Sequence, residues 1–427
     1  MHRPSVTFAL LSLACGTHRG VSATLTSLAE LPVPIGVAAA PSGAPLGPDD
    51  AARLLVAHSP RVQALVARVA AARAASFADA TLPDIEIGAH IHLPGAAAPA
   101  FHEVDATLDV VGLLSLPARR VAADKGLEAD TADAAAALVG LVAAARDATV
   151  RAQHARAVRD TELASAEAAL AALEVAERLF AAGNIPPREH ADRQLDADRA
   201  RATLLVAEHE VLAADTRLAA RLGLPLDPPL ALAAFAPPDD LDPADLEANA
   251  VSSSLRCAAA ASRAQATSAG KAAAALGLLP AVGVGVGAEQ EHTGWLTGPA
   301  LSVSVPIGGG SIAHVRRAGA EALAARFTAS ALEAEVRAEA RIAADALRTA
   351  RANWVRYAIP TVPDRALEQA LLEYNAMSTG VFDLLDARRA RAENERARLD
   401  ALRALWQARI AADALRAGGS LSTEDEP

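Results

Sequence analysis

Two patterns of apolar positions alternate along the chain, and together they predict long helices separated by pairs of short strands. Between 48 and 77, apolar residues recur at i, i+3, i+4 and i+7, the spacing of one face of an amphipathic helix. Ser59-Pro60 interrupts this stretch. Since proline is favoured in the first turn of a helix, the dipeptide predicts that the helix ends and restarts there.

Four segments change to a period of two, with apolar residues on one face and polar residues or glycine on the other. Successive side chains of a strand point to opposite faces, so this period predicts half-buried strands. Gly283, Gly285 and Gly287 share one face, which predicts a close approach of neighbouring atoms there. The predicted strands are 82–92, 103–116, 279–288 and 299–307.

The longest helical stretches follow each pair of strands. Residues 118–181 contain no proline, and a continuous helix over them would extend roughly 95 Å. The corresponding stretch 311–376 contains Pro360, which predicts a break near that position. Each long helix precedes a turn and a helix of about 35 residues. Two shorter helices stacked end to end would therefore match one long helix in length.

The order of elements is repeated, so the chain is predicted to be an internal tandem duplication. Landmarks recur at near-constant offsets: Pro83 and Pro280, Pro117 and Pro306, Gly183 and Gly380, Gly223 and Gly418. The predicted organisation is a signal peptide over 1–23 (or 1–14 before a lipidated Cys15), an extended segment over 24–47, repeat 1 over 48–223, a linker over 224–242, repeat 2 over 243–418 and a disordered tail over 419–427.

The N-terminus has the pattern of a secretory signal. An apolar run from Val6 to Ala14 follows a basic residue and is too short to span a membrane. Leu13-Ala14-Cys15-Gly16 resembles a lipobox, which would make Cys15 a lipidation site. Cleavage after Val21-Ser22-Ala23 is the alternative.

Charge and cysteine content exclude several classes of function. The formal net charge is −11, from 40 basic and 51 acidic residues, which argues against a nucleic-acid partner. Cys15 and Cys257 alone cannot form a zinc site or a disulfide framework. The Gly-rich segment before Ser311 lacks the lysine of a phosphate-binding loop. No nucleophile–base pair is recognisable, so neither catalysis nor a cofactor is predicted.

One histidine group raises the question of a metal site. His90 and His92 share a strand face, and His102 follows in the same hairpin. Metal ligation is one interpretation. The other, which we adopt, is that these are polar residues of a wet surface or a loop, and no metal is predicted.

Four strands of this length cannot close a barrel by themselves, and open sheet edges are unfavourable in lipid. Strands from several copies of the chain could close one barrel. Each segment is about as long as a membrane-spanning strand. A secretion signal, alternating strands and no apolar spanning segment together predict an outer-membrane protein.

The stretch from Tyr374 to Gly418, with its turn glycine, Leu-Leu-Asp-Ala start and final glycine, resembles the TolC family of outer-membrane efflux proteins. The resemblance extends over 48–418, in both repeats. Leu116-Pro117 and Val305–Gly310 are similar to the strand-to-helix junctions of the family. The resemblance implies a mainly α fold with a small β part, in which long α-helical hairpins form an α-barrel. It also implies a homotrimer whose twelve strands close one β-barrel in outer-membrane lipid.

The same resemblance implies partners and site residues. A periplasmic adaptor protein and an inner-membrane pump would meet the helical tips, at Gly183, Asn184, Ile185, Gly380 and Val381. The alternative is that these are ordinary hairpin turns, in which glycine supplies a positive φ.

Two acidic residues follow the second tip. Asp383 and Asp386 are similar to residues that ring the periplasmic constriction of the family, where they would favour cations. The alternative is that they stabilise the start of a helix through its dipole. The predicted function is a passive trimeric exit duct of an efflux or secretion system, gated at its periplasmic tip. A periplasmic coiled-coil adaptor or scaffold is the alternative.

Overall fold

The computed structural model describes residues 45–92, 101–225, 227, 230–291, 294–305, 309–358 and 362–420. The signal-peptide prediction and Cys15 lie outside the described residues. The elements are α1 Pro48–His58, α2 Pro60–Asp79, β1 Ile85–His92, β2 Phe101–Asp109, α3 Val110–Ala181, α4 Pro187–Leu222, α5 Ala244–Ser253, α6 Leu255–Leu276, β3 Ala281–Glu291, β4 Gly294–Ser304, α7 Gly310–Ala358, α8 Val362–Asn375 and α9 Val381–Arg416. The predicted class, mainly α with long helical hairpins and four strands, is confirmed.

The first long helix begins earlier than its sequence suggests. The prediction placed a strand to Leu116 and a strand-to-helix junction at Leu116-Pro117, and it was wrong. The strand ends at Asp109, whose carboxylate accepts a hydrogen bond from the backbone N–H of Val111 at 2.9 Å. That cap starts a helix of 72 residues, with Pro117 inside it. An N-terminal cap satisfies a free backbone donor of the first turn, and here it decides the boundary.

The second long helix is described in two parts, α7 to Ala358 and α8 from Val362. The predicted break near residue 360 falls on 359–361, which lie outside the described residues, so it stays a prediction. The N-terminal junction of α7 runs from Ser304 to Gly310, and residues 306–308 of that junction lie outside the described residues.

The helices pack side by side as a wall in which α3 is the longest member. Helices α2 and α4 both pack along α3, and on its other side α6 and α9 pack between α3 and α7. Helix α8 continues the wall beside α9. The largest core cluster joins α1, α2, α3 and α4 through residues that include Leu55, Leu138, Leu218 and Leu222.

The shorter helices stack end to end, as their lengths predicted, and a left-handed glycine makes each joint. Gly223 ends α4 with φ +70°, and a Cβ there would lie 2.9 Å from Cδ of Pro60, at the start of α2. Gly418 follows α9 with φ +86°, and its carbonyl accepts a hydrogen bond from the N–H of Leu255, at the start of α6, at 2.9 Å. The two joints are equivalent places in the two halves.

The four strands form one antiparallel sheet in the order β1-β2-β3-β4. Within the described residues, β1 pairs only with β2 and β4 only with β3, so the sheet has two open edges. One face carries apolar rows that cross all four strands, such as Ile85, Leu108, Val284 and Leu301. Ile85 is 66% exposed and Leu301 is 71% exposed, so this apolar face is uncovered in one protomer.

The glycine face of β3 allows the close approach that the sequence predicted. Gly285 pairs with Thr107, and a Cβ on Gly285 would lie 1.8 Å from the carbonyl oxygen of Ala106. Gly283 likewise leaves room for Oγ of Ser302 on β4. Gly285 therefore requires glycine, because backbone atoms of β2 occupy the space that a Cβ would need.

The segment between the two halves crosses one face of the wall. Gln153 of α3 donates a hydrogen bond to the carbonyl of Ala233 at 3.0 Å. Trp406 of α9 donates its indole N–H to the carbonyl of Ala236 at 2.7 Å. Asp240 forms an ion pair with Arg351 of α7. None of the helices in the described part of the chain combines the length and apolar character needed to cross a bilayer.

Candidate functional site

The first helical tip joins α3 to α4 through a turn closed by backbone hydrogen bonds. Gly183 takes φ +74°, and its N–H donates to the carbonyl of Phe180 at 2.9 Å. The N–H of Asn184 donates to the carbonyl of Leu179 at 2.8 Å. Glycine is favoured here because a left-handed residue lets these bonds satisfy the last carbonyls of the helix.

The second tip, between α8 and α9, has a similar backbone but a different residue at its centre. The alternative interpretation of the tips, in which glycine supplies the positive φ, does not hold for Gly380, which has φ −81° and is the N-cap of α9. Met377 takes the left-handed conformation instead, at φ 57°, and its neighbour Ser378 donates an N–H to the carbonyl of Glu373. Met377 is therefore the structural equivalent of Gly183. The offset between the tips is 194 residues rather than the 197 of the glycine match.

The two acidic residues after this tip make different contacts. The carboxylate of Asp383 accepts the N–H of Gly380 at 3.0 Å, which caps the start of α9. Asp386 lies one turn further, and its Oδ1 is 3.2 Å from a guanidinium nitrogen of Arg193 on α4. Asp383 thus has the helix-start role that was the alternative interpretation. Asp386 connects the two hairpins.

Arg193 is the centre of this connection, and the sequence analysis did not identify it. Its side chain is only 18% exposed, and its guanidinium lies 4.5 Å from the ring centre of Phe382. Asp196 of α4 is 3.9 Å from Arg193 and 3.5 Å from Arg389 of α9. The closely spaced charges of α4 give no signal that one arginine reaches another hairpin, because its partner lies 193 residues further along the chain.

A second contact between hairpins that the sequence did not reveal joins α3 to α9 further from the tips. Nε2 of His154 on α3 is 2.9 Å from Oδ1 of Asp400 on α9, and the ring of Phe235 meets the imidazole edge-on. The side chain of His154 is 11% exposed. Burial lowers the pKa of His154 below its usual value, and the positive charge of Arg403 lowers it further, while the hydrogen bond to Asp400 opposes both effects.

This lowered pKa predicts a pH-dependent stability. The unfolded chain binds a proton at His154 near pH 6.5, whereas the folded chain resists protonation until lower pH. The free energy of unfolding should therefore fall as the pH drops below about 6.5 and level off below the folded pKa. Denaturant unfolding at about pH 7.5 and pH 5.5 measures this change.

His154→Gln is the matched variant, because glutamine can still donate to Asp400 but does not titrate. The other histidines are common to both proteins, so the difference between their pH profiles isolates His154. A smaller loss of stability on acidification is expected in the variant. Identical profiles for the two proteins would contradict the assignment.

The remaining sequence candidates are separated or lie outside the described residues. The strand register places His102 opposite Ile91 and His90 opposite Glu103, so His90 and His102 fall on different faces of the sheet. No group of three or more His, Cys, Asp or Glu residues able to hold a metal ion occurs among the residues that the structure covers. Cys257 is buried in α6.

No protein-family model matches the sequence, and no curated protein matches it either. Solved structures do match. The outer-membrane channel OprN is similar with a TM-score of 0.71 and 19% identity, over 91% of this chain and 98% of that one. The CmeC outer membrane channel of Campylobacter jejuni gives a TM-score of 0.71 and 13% identity, over 93% and 95%. The chain has the fold of an outer-membrane channel protomer.

The outer membrane protein VceC of Vibrio cholerae is also similar, with a TM-score of 0.68 and 16% identity over 87% of this chain and 96% of that one. These matches extend over nearly the whole of each channel chain. The resemblance to the TolC family is thereby confirmed for the fold. At these sequence identities, the comparison assigns no role to the residues of the tips.

Proposed function

We propose that this protein is the outer-membrane channel of a tripartite efflux or secretion system, a passive trimeric duct gated at its periplasmic tip. The observation that carries the proposal is the incompleteness of the protomer. In the part of the chain that the structure describes, its sheet has two unpaired edges and an exposed apolar face. A wall with open edges becomes stable when identical copies continue it into a closed tube.

The two outer helices of the wall support this arrangement. On one edge, α4 exposes Leu205 at 66% and Leu212 at 66%. On the opposite edge, α7 exposes Phe327 at 66% and Ile342 at 64%. Large exposed apolar side chains on both edges are typical of subunit interfaces. Head-to-tail contact between these edges would close a ring.

The sheet has the surface that a membrane position requires. Its exposed apolar face would contact lipid, while the opposite face carries glycine and ionisable residues such as Asp105 and Glu289 toward the lumen. Three protomers would supply twelve strands and leave no edge unpaired.

The tips are proposed to dock a periplasmic adaptor protein, which would connect the channel to an inner-membrane pump. Gly183, Asn184, Ile185, Gly380 and Val381 belong to this surface by their position at the ends of the hairpins. Met377 lies in the second tip turn and is proposed as a further residue of this surface. Its side chain is 93% exposed and its backbone is left-handed, a conformation that is unfavourable for a residue with a side chain. Strained backbone and an exposed, adaptable methionine are both common at binding surfaces.

The gate is proposed to lie at the same end. Asp383 and Asp386 would each form a ring of three carboxylates, which favours cations at the constriction. The ion pair between Asp386 and Arg193 joins the two hairpins and would hold them together in the closed state. Contact with the adaptor would then shift a two-state equilibrium toward an open tip.

Loss of this ion pair predicts a more open channel. Asp386 is 61% exposed, so the pair contributes about 1 kcal/mol or less. Asp386→Asn or Arg193→Gln should therefore raise the open-to-closed ratio by up to about fivefold for each pair. Single-channel recording in planar bilayers measures the ratio, and the Asp386 variant should also show a weaker preference for cations.

Asp198→Asn is the control, because Asp198 pairs at 3.4 Å with Arg201 on its own helix and contacts no second hairpin among the described residues. The double variant should open no further than Arg193→Gln alone, since that substitution already removes the pair with Asp386 together with the contact to Phe382. The absence of conductance in every protein, wild type included, would count against the channel and leave the periplasmic scaffold as the remaining proposal. Conductance with no response to either substitution would count against the gate alone.

A further inference from the structure

A deep groove lies on one face of the wall, well above the tips. Its volume is about 1330 Å³. Helix α3 forms the base of the groove, α2 and α4 form one side, and α9 forms the other side. Because helices surround it on three sides, the groove is concave.

The charge of this groove is opposite to that of the chain. Seven arginines line it against three carboxylates, Asp147, Glu210 and Asp400. The chain as a whole carries −11. The arginines are Arg61 and Arg68 from α2, Arg151 from α3, Arg217 and Arg221 from α4, and Arg396 and Arg403 from α9.

Three of these arginines have charges that the protein does not neutralise by direct contact. Arg151 pairs with Asp147, and Arg396 pairs with Glu162. Arg68, Arg217 and Arg403, by contrast, have no carboxylate within 4.0 Å among the residues that the structure describes. They come from three different helices around the same cavity. Guanidinium groups bind carboxylate, phosphate and sulfonate oxygens through directed hydrogen bonds.

On α3, Arg151 of the groove faces away from the crossing linker, whereas His154 lines the groove and also meets Phe235 of the linker. On α3, the linker is contacted by Gln153 and Arg156, whereas Arg151 lines the groove. At 3.6 residues per turn, these two contacts lie about 200° and 140° around the helix from Arg151. If three such protomers close into a tube, their concave faces line the inside of the tube. The lumenal position of the groove rests on the proposed function, but its ability to bind an anion does not.

We infer that this arginine-lined groove is a binding site for multiply charged organic anions, carrying two or more carboxylate, phosphate or sulfonate groups. One such solute can contact arginines on opposite sides of the groove at the same time. In the trimer, three grooves would concentrate these anions in the middle of the duct. The grooves would be an intermediate binding site along the duct, distinct from the acidic residues near the tip.

Fluorescence anisotropy of the trisulfonated dye pyranine with the purified full-length protein in detergent tests the site. Wild type should bind the dye, and binding should weaken with added salt. The triple substitution Arg68→Gln, Arg217→Gln and Arg403→Gln should raise the Kd by about tenfold or more, since each arginine is a charged hydrogen-bond donor. The control Arg326→Gln, Arg341→Gln and Arg356→Gln removes the same charge from exposed positions on α7 and should leave the Kd unchanged.

Equal weakening by both triple variants would overturn the proposal, because the effect would then be one of net charge alone. Absence of dye binding by wild type at low salt would also overturn it. Circular dichroism and assembly mass establish that the variants fold. Dye binding without conductance would count against the channel and leave the groove in place. Conductance with no dye binding would count against the groove as an anion site and leave the channel in place.

Discussion

Gly285→Ala is expected to abolish the pairing of β2 with β3. The added Cβ would lie 1.8 Å from the carbonyl oxygen of Ala106, far closer than any tolerated contact. The neighbouring atom belongs to the backbone, so no side-chain rotation can relieve it. The two halves of the sheet should separate, and hydrogen exchange measured by mass spectrometry should show lost protection in peptides that contain β2 and β3.

Gly298→Ala is the matched control for this change. Gly298 lies on β4 of the same sheet, and a Cβ there meets nothing within 4 Å. Its protection pattern should equal that of wild type. Protection retained by Gly285→Ala, or lost equally in the two variants, would contradict the register that places Gly285 against Thr107.

The second large effect is expected at the joint between the stacked helices α9 and α6. Gly418→Ala puts a side chain on a residue with φ +86°, and its Cβ would lie 2.3 Å from the carbonyl oxygen of Ser253. Left-handed backbone costs about 1–2 kcal/mol for a residue with a Cβ, and forcing a packed site apart costs about 1–3 kcal/mol more. The midpoint of denaturant unfolding should fall accordingly.

Gly183→Ala separates these two contributions. Gly183 has a similar φ of +74°, but nothing lies within 4 Å of its added Cβ. This variant should show the backbone cost alone, about 1–2 kcal/mol. If the two substitutions lowered the midpoint equally, the close packing of Gly418 on the start of α6 would be refuted.

Local signals predicted the parts of the fold that depend on neighbouring residues. Ser59-Pro60 correctly marked a helix restart between His58 and Pro60. The glycines of β3 correctly marked a close approach. Each of these rests on the conformational limits of one or two residues, which the sequence states directly.

The errors arose where a proline or glycine had two acceptable roles. Pro117 read as a junction, but the carboxylate of Asp109 caps the helix eight residues earlier and Pro117 lies inside it. Gly380 read as the left-handed residue of a turn, whereas it caps a helix and Met377 takes that conformation. A non-glycine residue in left-handed backbone is uncommon enough that the sequence favoured the wrong position.

The candidate sites depended on contacts that no local pattern contains. Arg193 meets Asp386 across 193 residues, and His154 meets Asp400 across 246. The arginine groove combines residues from four helices that only the packed wall brings together. The sequence therefore predicted the repeated elements well, and the sites formed between them poorly.

The central claim is that one protomer is an incomplete wall, and the mass of the assembly tests it most directly. Native mass spectrometry of the protein extracted from outer-membrane fractions in detergent should give three times the mass of one subunit, measured on the same sample after denaturation. A stable monomer that stays soluble without detergent would contradict the account, because its sheet edges and the exposed apolar sides of α4 and α7 would then need no neighbours.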